Sequence, residues 1–484
     1  MSSLSFYRQI NKLDSAAYVD IISANDKGLK GLTPYKAVLD KKRAHKKSDI
    51  VSFYDKKRVV FACLINPDSK NHSHRLEDFR IQGAHLRRYV QREKLHSLNL
   101  QFGKTIKKEE SLAFIEGFEL AGYEFSRYKS KKPTSAFTKL HLQAGSFSQE
   151  EIREFQNLLD AVYFTRDIVN EPVITLNATA LSNAIVKQGK EKGFKTEILK
   201  KNQIEKLKMG GLLGVNRGSD DPPTFNILEY KPAGAVNKNP IVFVGKGVTF
   251  DTGGYSLKIG GVMLTMKCDM AGGAAVVGAI SAIASNKLPV HVVGLIPATD
   301  NRIGHNALVT DDIITMHDGT TVEIQNTDAE GRLILGDALS YAKKYKPELV
   351  IDLATLTGAA SVITGFYGIA MMSNTNPYNA DLKQSGEDVY ERCAELPMWR
   401  EYRDLLKSDI ADLRNIGGVT GGSITAAKFL EHFTDYNWIH LDIAGPAFIK
   451  EGARDYHVKG GSGVGVRLLY DFVKTFIAKH KKSK

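Results

Sequence analysis

Cysteine is scarce in this chain: its 484 residues include three, Cys63, Cys268 and Cys393. Their odd number and wide spacing exclude a disulfide framework of the kind that stabilises small secreted domains. Such cysteine usage is typical of a reducing compartment. The N-terminus also lacks a basic segment followed by an apolar run, so we expect no secretory signal and predict a cytoplasmic location.

Long hydrophobic runs are also missing. The most apolar stretch, residues 349–372, is interrupted by Asp352, by several glycines and by threonines. A membrane-spanning helix needs about 20 predominantly apolar residues in succession. The pattern instead predicts two buried strands, 349–353 and 368–372, joined by a Gly-rich turn, and we expect no membrane partner.

Acidic residues are outnumbered, because 66 lysines and arginines against 54 aspartates and glutamates give a net charge of +12. A basic surplus favours acidic partners, including nucleic acids. The basic runs at 129–132 and 479–484 are not interleaved with aromatic residues as they are in proteins that bind single strands. These runs predict solvated surfaces, and nucleic-acid binding is kept only as an alternative function.

The length of the chain favours two or more domains. A content of 43% hydrophobic and 25% charged residues is typical of a globular protein with an ample core. We predict an α/β fold with a smaller N-terminal α/β domain (residues 1–149), a linking helix (150–172) that ends at Pro172, and a larger C-terminal domain (173–484). The first domain contains a buried strand at 58–65 but no cluster of acids, histidines or glycines with ligand-like spacing.

From residue 178 onward, apolar strand-like segments alternate with helical segments. This alternation predicts a mixed, mostly parallel sheet covered by helices. The predicted helices are 178–192 and 271–285. The predicted strands are 195–199, 224–230, 241–244, 290–297, 349–353 and 438–443.

The segment NTDAEGRL at residues 326–333 is the strongest candidate for a functional site. If it is extended, Asp328, Glu330 and Arg332 face the same way, since side chains alternate along a strand. Two neighbouring carboxylates ionise at low cost only if cations hold them. An alternating segment at 321–325 and a helical pattern after Leu333 predict a strand-to-helix turn, where α/β sheets place their sites. The alternative is a solvated turn in which Asp328 caps the helix.

A second cluster of polar residues follows the strand 241–244. The Gly-rich loop GKGVTFDTGG at residues 245–254 contains Lys246 and Asp251, Lys258 follows, and Asp269 precedes a Gly/Ala-rich helix. The loop matches neither a P-loop nor a dinucleotide-binding motif. Each residue also has a structural explanation, since Asp269 could cap its helix and both lysines could be surface residues.

Together the two clusters offer several carboxylates at the ends of strands, which suits a pair of divalent ions that activate water. No histidine belongs to either cluster, so ligand hardness favours Mg²⁺ or Mn²⁺ over Zn²⁺. Cys268 precedes Asp269, and neighbours in a strand or turn point apart, so we do not expect the thiol to be a ligand.

These motifs resemble those of the leucyl (cytosol) aminopeptidase family. The octapeptide 326–333 matches the signature of that family, and the resemblance extends from about Thr165 to Leu469. Residues 1–150 share no such motif with it. The other matching segments are 166–172, 245–254, 266–274, 354–358, 422–426, 440–445 and 460–469.

The resemblance implies two metal ions with shared ligands. One ion would be bound by Asp251, Asp328 and Glu330, and the other by Lys246, Asp251, Asp269 and Glu330. A lysine ligand must be a neutral amine, so its pKa has to be lowered by the adjacent dication. Members of the family usually take Zn²⁺, with Mn²⁺ or Mg²⁺ exchanging at the looser site.

The resemblance also implies roles for residues that do not bind metal. Lys258 would polarise the scissile carbonyl, and Arg332 with Leu356 would bind a bicarbonate that acts as the general base. The free α-amine of the peptide would bind a metal, which restricts cleavage to the N-terminus.

The resemblance also implies that five further residues form the pocket for the first side chain of the peptide. Ala447 stands where some members of the family have Met, so the preferred side chain stays open. Members are commonly homohexamers. The implied pocket residues are Met266, Thr355, Gly358, Ala444 and Ala447.

The sequence therefore predicts a metal-dependent aminopeptidase that releases N-terminal amino acids from peptides by two-metal activation of water. A DNA-binding or regulatory protein on the same scaffold is the alternative from another class. A two-metal phosphoesterase is a third reading that the acids by themselves allow, but Lys246 as a ligand and Arg332 beside the site favour the peptidase.

Overall fold

The computed structural model describes residues 3–7, 17–23, 34–45, 47–55, 58–66, 71–131, 137–143, 145–374, 377–452 and 454–482. The first residues of the N-terminus, Lys132 of one basic run, and Ser483 and Lys484 of the other lie outside these ranges. The chain divides into two compact units, Met1–Asp160 with Glu451–Lys459, and Ala161–Lys450 with Gly460–Lys484.

The first unit is an α/β unit with its own apolar core. Its described strands form a six-stranded sheet in the order β1-β6-β5-β2-β4-β3. The predicted strand 58–65 is confirmed as β4, which is flanked by β2 in parallel and β3 antiparallel. The elements are β1 Ser3–Tyr7, β2 Ala17–Ser23, α1 Lys36–Ala44, β3 Asp49–Asp55, β4 Arg58–Ile65, α2 His72–Arg92, β5 Ser97–Phe102, α3 Lys108–Leu120 and β6 Lys139–Gln143. Helix α4, Gln149–Asn170, contains the sequence boundary between the units.

The second unit alternates strands and helices along its length. A 3₁₀ helix at Met266–Met270 precedes α8, and another at Lys343–Tyr345 follows α9. The first elements are α5 Ala178–Lys192, β7 Lys195–Lys200, α6 Lys201–Lys206, α7 Gly210–Asn216, β8 Thr224–Tyr230, β9 Ile241–Gly245, β10 Gly247–Asp251, α8 Ala271–Ser285, β11 Val292–Asn301, β12 Ile313–Thr315, β13 Thr321–Glu323, α9 Gly331–Ala342 and β14 Leu349–Ala354. The remaining ones are α10 Gly358–Thr364, β15 Ile369–Ser373, α11 Asn379–Val389, β16 Cys393–Glu395, α12 Glu401–Asp404, β17 Leu413–Arg414, α13 Gly422–Glu431, β18 Trp438–Asp442, β19 Phe448–Ile449, β20 Gly460–Gly461 and α14 Val466–Lys482.

The predicted mixed, mostly parallel sheet is confirmed in this unit. Nine strands of the described chain follow the order β16-β15-β18-β14-β9-β11-β8-β7, with β10 beside β11. The central pairs β18–β14, β14–β9 and β9–β11 are parallel, whereas β15 and β8 pair antiparallel with their inner neighbours. Parallel central strands align their carboxyl ends at one edge, which is where such sheets bind ligands.

The strand predicted at residues 290–297 instead spans Val292–Asn301, so it begins later and is longer than predicted. Its second half pairs in parallel with β10. The predicted helices 178–192 and 271–285 have the bounds of α5 and α8.

Helix α8 packs against the centre of the sheet through small residues. A side chain at Gly272 would place its Cβ 2.0 Å from the carbonyl oxygen of Leu353, so only glycine allows this approach. The segment Met266–Ser285 is long and apolar enough to span a membrane by length and composition, and 94% of its most apolar window is buried inside the protein. The close packing fixes the start of α8, and with it Asp269, against the ends of β9 and β14.

Candidate active site

The predicted site residues come together in one cavity of the second unit. Its volume is about 520 Å³, and it lies at the carboxyl ends of the central strands. Lys246 follows β9, Asp251 ends β10, and Asp269 lies in the 3₁₀ helix before α8. Seven predicted polar residues line the cavity: Lys246, Asp251, Lys258, Asp269, Asp328, Glu330 and Arg332.

The strand-to-helix turn predicted at residues 326–333 is confirmed, because β13 ends at Glu323 and α9 begins at Gly331, but the segment itself is not extended. The preceding strand β13 ends at Glu323 and belongs to a small sheet with β12 and β17, not to the main sheet. Asp328 lies in a turn, and Glu330, with φ −76° and ψ −35°, is the cap residue of α9. The acids face the same cavity because the chain turns into the helix here, and not because strand side chains alternate.

The Gly-rich segment 245–254 is only partly a loop. Residues Gly247–Asp251 form β10, which pairs in parallel with β11 and places Asp251 opposite Asn301. The chain turns after this strand at Gly253 and Gly254, which have φ values of 86° and 63°. These left-handed conformations suit glycine, and they bring the segment back so that Lys258 contacts Asp251.

Each lysine of the cluster lies between two carboxylates. The Nζ of Lys246 is 2.8 Å from Asp269 Oδ2 and 2.8 Å from Glu330 Oε1. The Nζ of Lys258 is 2.7 Å from Asp251 Oδ2 and also contacts Asp328 Oδ1. A Cβ at Gly331 would lie 2.7 Å from the Nζ of Lys246, so a residue larger than glycine at the start of α9 would displace this ammonium group.

The cluster is short of positive charge. Burial, followed by the charges of Asp251 and Glu330, raises the pKa of Asp328 to about 6. Burial also raises the pKa of Asp269 and that of Glu330, although Lys246 partly offsets both shifts. Four carboxylates face two ammonium groups here, so additional cations would stabilise the ionised carboxylates.

The donor set fits divalent metal ions. Asp251, Asp328 and Glu330 each offer an oxygen, and these oxygens lie within 4.8 Å of one another. Glu330 Oε2 is buried and has no hydrogen-bond partner within the described part of the chain. An orphaned buried carboxylate oxygen is costly unless a ligand satisfies it, and hard cations favour such oxygens.

The protonation of Lys246 is coupled to its surroundings. Burial by itself would lower the pKa of this lysine, but the charges of Asp269, Glu330 and Asp251 outweigh burial and raise it. Lys246 is therefore a charged ammonium group, and it is the cation that these carboxylates contact when no other cation is bound. A lysine that binds metal must lose this proton, so metal binding and deprotonation of Lys246 would be linked.

Arg332 is buried with part of its guanidinium unused. Its Nη1 donates to the carbonyl oxygen of Asn415 at 2.8 Å, while its Nε has no hydrogen-bond partner among the residues that the structure describes. Burial lowers the pKa of Arg332 to about 10. Leu356 lines the same cavity, but its backbone N–H already donates to Asp442 Oδ1 at 3.1 Å.

Four of the five predicted pocket residues, Met266, Thr355, Gly358 and Ala444, line the cavity. Ala447 does not line it and is 2% exposed. Its N–H donates to Ile443 O, and its carbonyl oxygen accepts from Ser462 N, both at 3.0 Å. These bonds hold Ala447 in the packed interior.

Cys268 also lines the cavity, contrary to the expectation that it points away from Asp269. Both residues lie in a tight 3₁₀ helix, where neighbouring side chains do not alternate as they do in a strand. Burial raises the pKa of the Cys268 thiol to about 12, which disfavours the thiolate that a metal would need.

Several residues at the cavity had no predicted role. Asn301 and Asp442 contact site residues through hydrogen bonds, and both end apolar strands. Their positions at strand ends were a signal in the sequence, and Asp442 also lies in the matching segment 440–445. The apolar walls include Val262, Phe366 and Phe448.

A mixed α/β sheet with carboxylates and lysines that face one cavity at its carboxyl edge fits the class of metal-dependent hydrolases. Residues 163–470 match the model of the cytosol aminopeptidase family, catalytic domain. The chain belongs to the cytosol aminopeptidase family, and it is an aminopeptidase of the leucyl type.

The relatives agree with this assignment. A probable cytosol aminopeptidase of Chlorobium limicola is 46% identical over 381 residues, which cover 75% of this chain and 74% of the relative. A probable cytosol aminopeptidase of Chlorobaculum tepidum is 47% identical over 386 residues, which cover 76% of each chain.

Two solved structures are similar in fold to this chain. The bottromycin maturation enzyme BotP in complex with Mn is 29% identical, with a TM-score of 0.85 over 96% of this chain and 100% of that chain. A mutant of tomato leucine aminopeptidase is 26% identical, with a TM-score of 0.85 over 98% of this chain and 96% of that chain.

Proposed function

We propose that this aminopeptidase releases N-terminal amino acids from peptides with water activated between two divalent metal ions. The observation that carries the proposal is the group formed by Asp251, Asp328 and Glu330, whose ligand oxygens lie within 4.8 Å of one another. The pair of Lys246 and Asp269 adjoins this group through Glu330, which also contacts Lys246 at 2.8 Å.

The ligands divide into two overlapping sets. Asp251, Asp328 and Glu330 would hold one ion, and Lys246, Asp269, Asp251 and Glu330 would hold the other. Zn²⁺ and Mn²⁺ are the proposed ions, with Mg²⁺ as a further candidate, and the solved relative with Mn supports the presence of a divalent metal. When bound, the ions supply Lewis acidity and a water of lowered pKa.

Lys258 is the proposed stabiliser of the oxyanion. Its side chain lines the cavity and contacts Asp251 and Asp328, with 12% of its surface exposed. Binding of a metal by the two carboxylates would free the ammonium group to donate to the scissile carbonyl oxygen. Such a donor acts most strongly on the negative charge that develops in the transition state.

Arg332 and Leu356 are the proposed bicarbonate site. Arg332 offers a buried Nε that has no hydrogen-bond partner in the described part of the chain, which suits a small anion. A bound bicarbonate would accept the proton from the attacking water, because the cluster contains no histidine to do so. The amide of Leu356 would have to be shared between the anion and Asp442, its present acceptor.

The substrate is proposed to enter with its free α-amine toward the metals. The first side chain would occupy the space between Met266, Thr355, Gly358 and Ala444. Ala447 is buried away from the cavity, so its small size affects the pocket only through packing.

The wider organisation is proposed from the family. We propose the N-terminal domain at 1–149, a linking segment at 150–172 and the catalytic domain at 173–484; the predicted linking helix ends at Asn170, two residues before Pro172. A homohexamer and a cytoplasmic location are proposed as well, and the relatives' name of cytosol aminopeptidase supports the location.

Hydrolysis of aminoacyl amides by metal-loaded protein tests the proposal. The protein is stripped with a chelator and reloaded with Zn²⁺, Mn²⁺ or Mg²⁺, and release of leucine from leucyl amide is measured. We expect activity only after reloading and no cleavage of the N-acetylated amide. Cleavage of the acetylated substrate, or activity of the metal-free protein, would contradict the proposed mechanism.

The same preparation separates the alternative functions. Hydrolysis of a phosphate ester in place of the amide would support a phosphoesterase. Binding of duplex DNA that weakens steeply with salt would support the nucleic-acid reading, since neutralising phosphates releases counterions.

A further inference from the structure

Asp442 ends β18 and is completely buried. Its Oδ1 accepts hydrogen bonds from the N–H of Leu356 at 3.1 Å and of Ala444 at 3.2 Å. Its Oδ2 accepts from the Thr357 hydroxyl at 2.7 Å. One carboxylate therefore joins two separate segments of the chain, and all three donor residues line the active-site cavity.

The register of the sheet explains why Asp442 reaches these donors. Strand β18 pairs in parallel with β14, and Asp442 stands opposite Ala354, the last residue of β14. The chain leaves β14 at this point and turns through residues 355–357 before α10 begins. The carboxylate at the end of the neighbouring strand thus meets the amide and the hydroxyl of that turn.

The turn held by Asp442 is also bonded to the metal cluster. The carbonyl oxygen of Thr355 accepts from Lys246 Nζ at 3.0 Å, and its hydroxyl donates to Asp269 Oδ1 at 2.7 Å. On the other side, Thr357 caps α10 by accepting from the N–H of Ala360 at 3.1 Å. Movement of this turn would therefore shift the wall of the cavity relative to the proposed metal ligands.

The base of the turn is rigid. His440 lies two residues before Asp442, and its Nδ1 is 2.6 Å from Asp352 Oδ1, while Trp438 Nε1 donates to Asp352 Oδ2 at 2.7 Å. These three side chains fasten β18 to β14 inside the protein. The position of Asp442 is accordingly fixed by the sheet.

We infer that Asp442 is a positioning residue that sets the shape of the cavity wall formed by Thr355–Gly358 and Ala444, and thereby the discrimination between first side chains. This inference rests on the proposed function, because that wall is the proposed site of the first side chain. Asp442 does not itself line the cavity; it acts through Leu356, Thr357 and Ala444, which do. Burying a carboxylate is costly, and here three hydrogen bonds to the cavity wall offset the cost.

The test compares two substrates in an Asp442→Asn variant. An asparagine keeps one acceptor oxygen, but its NH₂ group cannot accept from the Thr357 hydroxyl. Partial loss of folded protein would lower kcat for leucyl amide and alanyl amide equally. Displacement of the wall changes the kcat/KM values of the two amides unequally. We expect the ratio of these two values to shift roughly 10-fold.

Asp337→Asn is the matched control. Asp337 is also fully buried and accepts from the backbone N–H groups of Leu212 at 2.8 Å and His317 at 2.9 Å, away from the cavity. Its substitution should lower the Tm and leave the ratio unchanged. A folded Asp442→Asn variant with the ratio of the wild type would overturn the inference.

If Asp442→Asn does not fold, a second pair of variants tests the role of Asp442. Thr357→Val removes the hydroxyl at nearly constant volume, and Thr357→Ser keeps it. We expect Thr357→Val to shift the ratio and Thr357→Ser to restore it, and equal ratios in both would overturn the inference. A wild-type protein that hydrolyses neither amide would instead overturn the proposed function together with this inference.

Discussion

The side-chain amide of Asn301 donates a hydrogen bond to Asp251 Oδ1 at 2.9 Å. The same amide donates to the carbonyl oxygen of Thr327 at 3.1 Å, one residue before Asp328. Asp251 Oδ1 also accepts from the N–H of Gly253 at 2.9 Å, so its other oxygen is left to face Lys258. Asn301 thus aligns two of the three carboxylates proposed to bind one metal ion.

Replacing Asn301 should weaken metal binding. Hydrogen bonds that orient metal ligands typically change affinity about 10–100-fold when they are removed. We expect Asn301→Ala to fall in this range in a titration with Mn²⁺ followed by calorimetry. Asn237→Ala is the control, since Asn237 is also buried and donates to His291 O at 2.9 Å. Equal Mn²⁺ affinity in both variants would mean that Asn301 does not orient the ligand.

Much of the fold could be predicted because apolar segments and strand ends are local signals. The helices α5 and α8 and the strands β4 and β8 have the predicted bounds. The placement of Lys246 and Asp251 followed from the rule that parallel strands align their carboxyl ends. These inferences needed only residue types and spacing.

The conformation of residues 326–333 depends on a distant residue. The side chain of Asn415 accepts from the N–H of Gln325 at 2.8 Å and donates to Asn326 O at 2.7 Å, across about ninety residues of sequence. These bonds satisfy backbone groups that a strand partner would otherwise take. The spacing of Asp328 and Glu330 fits both a strand and a turn, so the sequence could not decide between them.

Strand β10 was missed for a related reason. Glycines in the segment 245–254 indicate a loop, since glycine is disfavoured in strands. The strand forms because β11 extends to Asn301 and offers a parallel partner. Gly247 then allows a close approach, because a Cβ there would lie 2.5 Å from Pro297 O. This tertiary pairing outweighs the local preference.

Glu330→Ala should remove activity and lower the amount of bound metal together. Glu330 is proposed to bind both ions, and its Oε2 has no other partner among the described residues. Metal content per chain and leucyl amide hydrolysis are measured on the same sample. Glu116→Ala removes another buried glutamate that pairs with a cation, Arg80 at 2.5 Å, and should leave metal content unchanged. Two ions per chain at normal affinity in Glu330→Ala would refute the ligand assignment.

Lys258→Ala should keep its metals and lose turnover. Loss of one donor to a developing oxyanion typically costs about 10²–10³ in kcat. Metal affinity should be equal or tighter, because the ammonium group competes with the metal for Asp251 and Asp328. Lys428→Ala, which removes a buried lysine paired with Glu431 at 2.8 Å, serves as the control for kcat. An unchanged kcat in Lys258→Ala would exclude the proposed role.

Arg332→Lys should leave metal content intact and weaken activation by bicarbonate. A guanidinium is planar and offers a fork of donors that can bind a bicarbonate with two hydrogen bonds, whereas an ammonium keeps the charge and loses the fork. The wild type should slow in bicarbonate-free buffer and recover when bicarbonate is added. A bicarbonate titration of kcat for both proteins, with metal content measured on each, checks this expectation.

The structure also provides a competing role for Arg332. Its Nη1 donates to Asn415 O at 2.8 Å, and Asn415 holds the turn before Asp328, so the arginine could act only by holding the loop. Under that alternative, Arg332→Lys lowers metal affinity or the Tm, and bicarbonate affects neither enzyme. Arg467→Lys distinguishes general damage from either role, since Arg467 is buried and pairs with Glu391 at 3.1 Å. We expect that control to lose stability and to keep the bicarbonate response of the wild type, because its guanidinium binds a carboxylate of the protein itself.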